Sequence, residues 1–307
     1  MNVDSINKFV FGVKGLELWN NMACWALSAG QNKSTGVTVY ALGGLSASNM
    51  PHATLKTEGT PPGLPVWSTS GVVFSGDSDG YPHNYMESGS FTFNVSGATV
   101  FSVINYDYTG LNTVVRNTIT NQLDPVSAVN PTIMGILPVR PTGGAGFSGA
   151  FYQFPRRIEL MRSSPTPANA NPSAYPSTYG IIIARGGFGY AAAAWNSGPA
   201  ANADNNNWAV VGMSYLSGNQ LFSRNGGNFT NGTLRSPLPL NDAASLGSLG
   251  FINEDYRLIT GTILREDAGF RGTSAAYFYF NKFLSQQEHT KLYTLYKETL
   301  GAGLGLP

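Results

Sequence analysis

From residue 37 to residue 263 the chain is a succession of short β-prone segments, and this pattern limits the fold more than any other feature. Runs rich in valine, isoleucine, threonine and aromatic residues alternate with glycine, asparagine, serine and proline. Helical periodicity does not interrupt them, so they predict an all-β fold, an antiparallel β-sandwich or jelly roll. The predicted strands are residues 37–42, 71–75, 90–95, 99–106, 157–161, 180–184, 208–215, 221–224, 257–264 and 275–280.

The amino end is predicted to form a short helical arm over residues 4–21. Apolar side chains recur there at helical spacing, and Asp4 or Ser5 suits the N-cap. The apolar face has two interpretations that the sequence does not separate. It packs on the core of the same chain, or it contacts a neighbouring subunit. The residues for such a contact are Phe9, Val13 and Leu16.

The carboxyl end carries a second helix signal. Ser285 and Glu288 have capping-box spacing, in which each side chain bonds to the backbone amide of the other residue. Gly301 is placed to end the helix, and residues 301–307 are predicted to be an extended tail. Four apolar positions share one helical face: Leu292, Leu295, Tyr296 and Leu300.

These patterns divide the chain into an arm (1–21), a jelly roll (22–284) and a C-terminal helix with its tail (285–307). Two segments inside the jelly roll, residues 121–149 and 162–178, each hold four prolines. Proline rarely sits inside a strand ladder, so both segments are predicted to be long loops. Long loops in compact domains often carry function.

Composition excludes several classes of protein. Eighteen basic and 17 acidic residues give a net charge of +1, which argues against nucleic-acid binding and against a polybasic membrane contact. Cys24 is the single cysteine, so no internal disulfide forms. Long apolar runs and a signal-peptide pattern are missing, so we expect a chain that is made in a cytoplasm and does not cross a membrane.

Catalytic motifs are also missing, and we expect a non-enzymatic protein without a cofactor. The three histidines lie far apart in the sequence, and neither a nucleophile elbow nor a phosphate-binding loop motif occurs. The acidic pairs Glu254–Asp255 and Glu266–Asp267 are adjacent residues, which point to opposite faces of a strand and do not suit glycoside hydrolysis.

Two sets of residues are candidates for ligand binding. Asp77 and Asp79, in a glycine-flanked turn, either hold calcium through carboxylate oxygens or form an ordinary solvated turn. Aromatic rings near turns are candidates for stacking on sugars, although most aromatic residues of a sandwich belong to its core. These aromatic candidates are Tyr81, Tyr85, Tyr190 and Trp195.

Three stretches carry a resemblance to a known family. Residues 18–27 (LWNNMACWAL), 207–212 (NWAVVG) and 277–293 (YFYFNKFLSQQEHTKLY) resemble strands and the terminal helix of concanavalin A-like, or laminin G-like, jelly rolls in phage and bacterial surface proteins. The resemblance implies the jelly roll and a place among tailed-phage virion components. Ser274 or Ala275 stands where the family often has aspartate, so no binding site is carried over.

The leading functional hypothesis is therefore a virion structural protein, either a capsid-decorating or a tail- or fibre-associated subunit. Such a protein would form a homo-oligomer, contact other virion proteins and reside in the virion. The alternative is a glycan-binding adhesin or receptor-binding module that contacts host surface sugars. A polysaccharide-cleaving enzyme is a third and weaker interpretation.

Overall fold

A computed structural model describes the chain in seventeen segments. They are residues 3–27, 36–45, 52–57, 63–75, 84–88, 91–92, 97–106, 114–116, 123–125, 132–138, 157–163, 178–184, 193–200, 206–216, 219–228, 255–260 and 271–307. Within them lie two α-helices, α1 (Val3–Gly15) and α2 (Gln286–Glu298), and a 3₁₀ turn at Trp19–Asn21.

The same segments contain twenty β-strands. They are β1 (Met22–Ala26), β2 (Thr38–Val39), β3 (Ala41–Leu42), β4 (Ala53–Thr57), β5 (Val66–Trp67), β6 (Val72–Ser75), β7 (Asn84–Ser88), β8 (Phe91–Thr92), β9 (Ala98–Tyr106), β10 (Val114–Arg116), β11 (Leu123–Pro125), β12 (Thr132–Pro138), β13 (Arg157–Ser163), β14 (Thr178–Ala184), β15 (Ala193–Ala200), β16 (Trp208–Leu216), β17 (Asn219–Arg224), β18 (Gly227–Asn228), β19 (Asp255–Thr260) and β20 (Arg271–Phe280).

The described strands form two antiparallel sheets and one small ribbon. Sheet A has the order β18-β17-β16-β9-β20-β1-β3, with β6 also paired to β20 and β5 to β6. Sheet B has the order β15-β14-β13-β12-β19-β7-β4-β2, with β8 also paired to β19, and β10 pairs with β11 separately. The fold is an antiparallel β-sandwich with an N-terminal and a C-terminal helix, which confirms the fold class predicted from the sequence.

The main core lies between the two sheets. Sheet A contributes alternate residues of its strands, such as Trp25 and Tyr277, and sheet B contributes residues such as Leu55 and Met86. Successive side chains of a strand point to opposite faces, so the residues between these positions face outward. This alternation defines an outer face for each sheet.

A second core covers the outer face of sheet A. Both helices pack there against strands β1, β9 and β20, and the ring centroids of Phe9 and Phe278 lie 5.9 Å apart. Tyr296 of α2 meets Phe9 and Phe278 nearly edge-on. A Cβ on Gly12 would overlap the side chain of Leu295, so glycine permits the close approach of α1 and α2. The chain therefore has three layers: helices, sheet A and sheet B.

The N-terminal helix is shorter than the sequence predicted. It begins at Val3, which places Asp4 in its first turn rather than at the N-cap, and it ends at Gly15. Glu17 then adopts a φ of 60°, a left-handed conformation that cannot continue a helix. The chain turns there and enters the 3₁₀ turn before β1.

The C-terminal helix begins as predicted, but the tail differs. Ser285 and Glu288 form the complete capping box, which confirms the start of α2. The tail is not extended, because it turns back on the helix after Leu300 and buries Leu306 in the outer core. The Tyr293 hydroxyl and the Lys297 ammonium group both donate hydrogen bonds to the Pro307 carbonyl oxygen.

The predicted strand at residues 37–42 is divided between the two sheets. Residues of β2 pair with β4 in sheet B, whereas residues of β3 pair with β1 in sheet A. Tyr40 lies at the crossing point between them. The sequence shows one β-prone run here, and only the packing of two sheets explains why it changes partners.

The prediction of a long loop at residues 121–149 is wrong for the part of this segment that the structure describes. Strands β11 and β12 lie inside it, and Pro125 and Pro138 stand at their last positions, where a missing amide is tolerated. For the loop predicted at 162–178, Arg162 and Ser163 end β13 and Thr178 begins β14. Residues 164–177 lie outside the described residues.

Candidate functional site

The outer face of sheet B is the candidate binding surface. Among the described residues, the helices pack only on the outer face of sheet A. On β4 and β7 the inward residues Leu55 and Met86 belong to the main core, so Thr54, Lys56, Tyr85 and Glu87 have the outward parity. The outward positions of β4 and β7 thus carry polar and aromatic residues, of which Tyr85 and Glu87 are only 8% and 5% exposed.

An ion pair anchors this face. The Lys56 ammonium group donates to a carboxylate oxygen of Glu87, and the two residues lie diagonally across the β4–β7 pair. Glu87 is only 5% exposed, whereas the Lys56 side chain is 43% exposed. A buried carboxylate needs a partner that compensates for its lost hydration, and Lys56 is one such partner. The pair therefore holds one positive and one negative group at this face and adds no net charge.

A row of residues crosses the sheet in register with Glu87. Each member is the Cα partner of the next on neighbouring antiparallel strands, from the β4 side to the β15 edge. The ladders therefore hold the backbones of these residues in one line across the sheet. The row is Thr54, Glu87, Ile259, Gly135, Glu159, Ile182 and Trp195. The backbone of Trp195, one of the aromatic candidates, is therefore in register with Glu87 of the ion pair.

The two glutamates of this row lie on strands that are well separated in sheet B. Glu87 and Glu159 are separated by three strand spacings, which corresponds to roughly 14 Å between their backbones. Glycoside hydrolysis needs two carboxyl groups about 5–9.5 Å apart.

A second polar cluster joins α2 to sheet A. His289 Nε2 lies 2.7 Å from Ser214 Oγ, and its Nδ1 lies 2.6 Å from Ser223 Oγ. Ser214 Oγ also lies 2.7 Å from Thr99 Oγ1, and Thr99 donates to the Lys282 carbonyl oxygen. The cluster ties the first turn of α2 and the segment before it to strands β9, β16 and β17.

This cluster contains serine and histidine side chains, as some catalytic sites do, but its buried position indicates a structural role. Ser214 and His289 have no exposed surface, so a substrate does not reach them in this conformation. Burial lowers the pKa of His289 from 6.5 to about 3, although nearby Glu288 opposes the shift, so the ring is neutral near pH 7. Sequence reasoning missed this role. The signal was available, because His289 shares helical spacing with Leu292 and Tyr296 on the buried face of α2.

The other aromatic and cation candidates have different outcomes. Tyr81, Tyr190, Asp77 and Asp79 lie outside the described residues. Tyr85 lies on β7 with outward parity but is only 8% exposed, so it is not an open stacking platform. For Trp195 the structure gives the strand and its register. Calcium binding at Asp77 and Asp79 stays a prediction.

The structure places the proposed subunit-contact residues within the chain itself. Phe9 and Val13 are fully buried in the outer core, and Leu16 packs at its margin. The apolar face of α1 therefore covers sheet A, which is the first of the two interpretations, and its burial leaves Phe9 and Val13 inaccessible to a neighbouring subunit. Phe11, on the opposite side of α1, is 72% exposed.

The described residues contain neither a candidate metal cluster nor a candidate membrane-spanning helix. No group of three or more histidine, cysteine, aspartate or glutamate side chains among them could hold a metal ion. Neither α1 nor α2 has the length and apolar character required to cross a membrane.

Comparisons with known proteins give only distant structural similarity. No protein-family model and no curated protein matches the sequence. Trypanosoma rangeli sialidase is similar over 97% of this chain and 39% of its own, with 11% identity and a TM-score of 0.47. A structure of botulinum neurotoxin type C is similar over 91% of this chain and 52% of its own, with 12% identity and a TM-score of 0.47. Cell entry of that toxin depends on interaction with two ganglioside molecules.

A third similar structure is the receptor-binding domain of the botulinum neurotoxin C/D mosaic serotype. It has 12% identity and a TM-score of 0.45, over 90% of this chain and 51% of its own. This chain thus spans between about two-fifths and one half of the proteins it resembles. At these identities no functional residue transfers from one protein to the other.

Proposed function

We propose that this chain is a non-enzymatic glycan-binding module whose ligand lies on the outer face of sheet B. The register row that links the Lys56–Glu87 pair to Trp195 carries the proposal. Sugars present both apolar ring faces and hydroxyl groups, so they suit a surface that offers an aromatic ring together with hydrogen-bonding groups. Sialidase and ganglioside-dependent toxin structures among the similar folds are compatible with this proposal but do not carry it.

The first experiment asks whether the intact chain binds sugars. We expect millimolar to micromolar binding to at least one oligosaccharide on a glycan array, followed by isothermal titration with the soluble sugar. Binding should persist after chelation of calcium if the surface alone provides the contacts. A complete lack of binding, with and without calcium, would remove the proposal.

Variants then locate the ligand on the face. Trp195→Ala should weaken binding several-fold if the β15 end of the row takes part, and Tyr81→Ala tests the second aromatic candidate in the same way. Phe11→Ala is the matched control, because it removes an exposed aromatic ring from the opposite side of the molecule. Release of reducing ends from a polysaccharide during the titration would show an enzyme instead.

A second candidate is the virion structural subunit expected from the sequence resemblance. The specific observation in its favour is the exposed outer side of α1, where Phe11 and Val3 present apolar surface. Apolar side chains of this size on an exposed helix face are typical of protein–protein contacts. In this proposal α1 docks on another particle protein and the chain forms a homo-oligomer. The two proposals are compatible, because a particle subunit can also bind host sugars.

The docking test uses substitutions that leave the core intact. Deleting the first 15 residues would remove Phe9 and Val13 from the core, so Phe11→Ser and Val3→Ser are the suitable changes. We expect the double variant to keep its fold by circular dichroism and to lose incorporation into assembled particles. Normal incorporation of the double variant would exclude docking through this side of α1.

A further inference from the structure

An exposed aromatic pair stands at the β2 edge of sheet B. Tyr40 is 46% exposed, His52 is also exposed, and their rings meet edge-to-face with centroids 4.6 Å apart. The register of β2 and β4 pairs Thr38 with Thr54 and Val39 with Ala53, so continuing it places Tyr40 opposite His52. Val39 and Ala53 belong to the main core, and Tyr40 and His52 therefore have the outward parity.

The backbone on both sides of Tyr40 is held by different sheets. Val39 pairs with Ala53 in sheet B, and Ala41 pairs with Trp25 in sheet A. Tyr40 thus connects two ladders that are packed face to face, and its backbone has little freedom. A rigid aromatic ring binds at a low cost in conformational entropy, which is how pre-organised sites gain affinity.

One hydrogen bond sets the chemistry of His52. The Ala41 backbone N–H donates to His52 Nδ1 at 3.2 Å. A neutral imidazole that accepts at Nδ1 carries its hydrogen on Nε2, so the other side of the ring is a donor. Neither His52 Nε2 nor the Tyr40 hydroxyl has a hydrogen-bond partner among the described residues. Within the described part of the chain, the pair therefore leaves one N–H donor and one hydroxyl group available beside an exposed aromatic ring.

The two described segments that carry the pair have no net charge. Residues 36–45 contain no charged side chain, and in residues 52–57 the single charge, Lys56, is paired with Glu87. This arrangement suits an uncharged ligand with one apolar face and several hydroxyl groups. Pyranose rings have this character, whereas phosphate and carboxylate ligands need a cation.

We propose that Tyr40 and His52 form a binding subsite for a neutral pyranose, with the sugar ring stacked on Tyr40 and a sugar hydroxyl accepting from His52 Nε2. This subsite rests on the proposed function, because it specifies the class of sugar that the outer face of sheet B binds and the place on that face where it binds. It lies seven strand spacings from Trp195, roughly 34 Å, so one monosaccharide does not contact both residues.

The test is isothermal titration of the full chain with lactose, maltotriose, chitotriose and sialyllactose. For the sugar that binds, Tyr40→Ala should weaken affinity at least tenfold, because the stacking surface is lost. Tyr40→Phe keeps the ring and should stay within about threefold, and His52→Ala should cost about three- to tenfold, as expected for one hydrogen bond. Thermal unfolding of each variant shows that the fold is kept.

A matched control shows whether the loss is specific to this subsite. Phe11→Ala, which removes an exposed aromatic ring on the opposite side of the molecule, should leave the affinity unchanged. If wild-type protein binds a sugar and Tyr40→Ala binds it equally well, the subsite is wrong while the proposed function stands. If wild-type protein binds none of the sugars on the array or in titration, the proposed function and the subsite both fail. Selective binding of sialyllactose over lactose would contradict the neutral class.

Discussion

At the residue scale, Tyr296 shows how much an unpartnered polar atom matters. Its ring packs between Phe9 and Phe278 in the outer core, but its buried hydroxyl has no hydrogen-bond partner in the part of the chain that the structure describes. Burial, with a further contribution from Cys24, raises the pKa of Tyr296, so the hydroxyl stays protonated. A buried hydroxyl that makes no hydrogen bond loses its hydration without compensation.

Replacing Tyr296 by phenylalanine should therefore cost nothing. We expect Tyr296→Phe to leave the free energy of unfolding unchanged or to raise it by about 1 kcal/mol, measured by urea denaturation. Tyr293→Phe is the matched control on the same helix, and it should lower stability by about 1 kcal/mol because the hydrogen bond to Pro307 is lost. A loss of more than 1 kcal/mol in Tyr296→Phe would show that the hydroxyl has a partner.

At the element scale, α2 is fixed to the sandwich by polar contacts as well as by its apolar face. Burial alone would raise the pKa of the Glu288 carboxyl, but hydrogen bonds from Lys282 and Ser285 outweigh it and lower the pKa. The Gly226 carbonyl oxygen accepts from the Gln286 side chain at 3.0 Å and from Thr290 Oγ1 at 2.7 Å. These contacts hold the start of α2 over the β17–β18 hairpin.

The His289 cluster makes this attachment sensitive to acid. The folded pKa of about 3 lies below the ordinary value of 6.5, so between these values the unfolded chain binds a proton that the native chain does not. Stability from this group is complete above pH 6.5 and falls as the pH is lowered towards 3, by as much as about 4–5 kcal/mol. His289→Gln should remove this part of the pH dependence.

Urea unfolding at a series of pH values between 3 and 7 measures the effect. The difference between wild type and His289→Gln isolates the histidine from the carboxylates, which titrate in both proteins. Lys291→Gln, an exposed change on the same helix, should follow the wild-type curve. Parallel curves for wild type and His289→Gln would mean that folding does not lower the pKa of His289.

At the scale of the whole molecule, the helices form a layer of the fold and not an appendage. They cover the apolar outer face of sheet A, and removing them would expose residues such as Phe278 to water. Sheet B has outward Lys56 and Glu87 on β4 and β7, where sheet A has an apolar surface. In the described residues the two sheets therefore differ in the chemistry of their outward positions.

Two phenylalanines two residues apart test the layered architecture. Phe9→Ala should reduce the free energy of unfolding by about 3–5 kcal/mol, because Phe9 is fully buried between α2 and sheet A. Phe11→Ala should change it by less than about 0.5 kcal/mol, because Phe11 is mostly exposed. Equal effects, measured by urea denaturation, would show that α1 is not docked as described.

The sequence by itself determined the local features of this protein. The capping box at Ser285 and the β-prone runs needed only neighbouring residues. These features depend on contacts within a few positions of the chain, which sequence patterns record directly.

Tertiary structure alone decided which residues meet. It divides the run around Tyr40 between two sheets, turns His289 into a buried link and pairs Lys56 with Glu87, 31 positions away. Antiparallel strands close in sequence and strands far apart in sequence form the same hydrogen bonds, so local patterns do not specify strand order. The candidate site is a product of register across sheet B, and register is set by the packing of whole sheets.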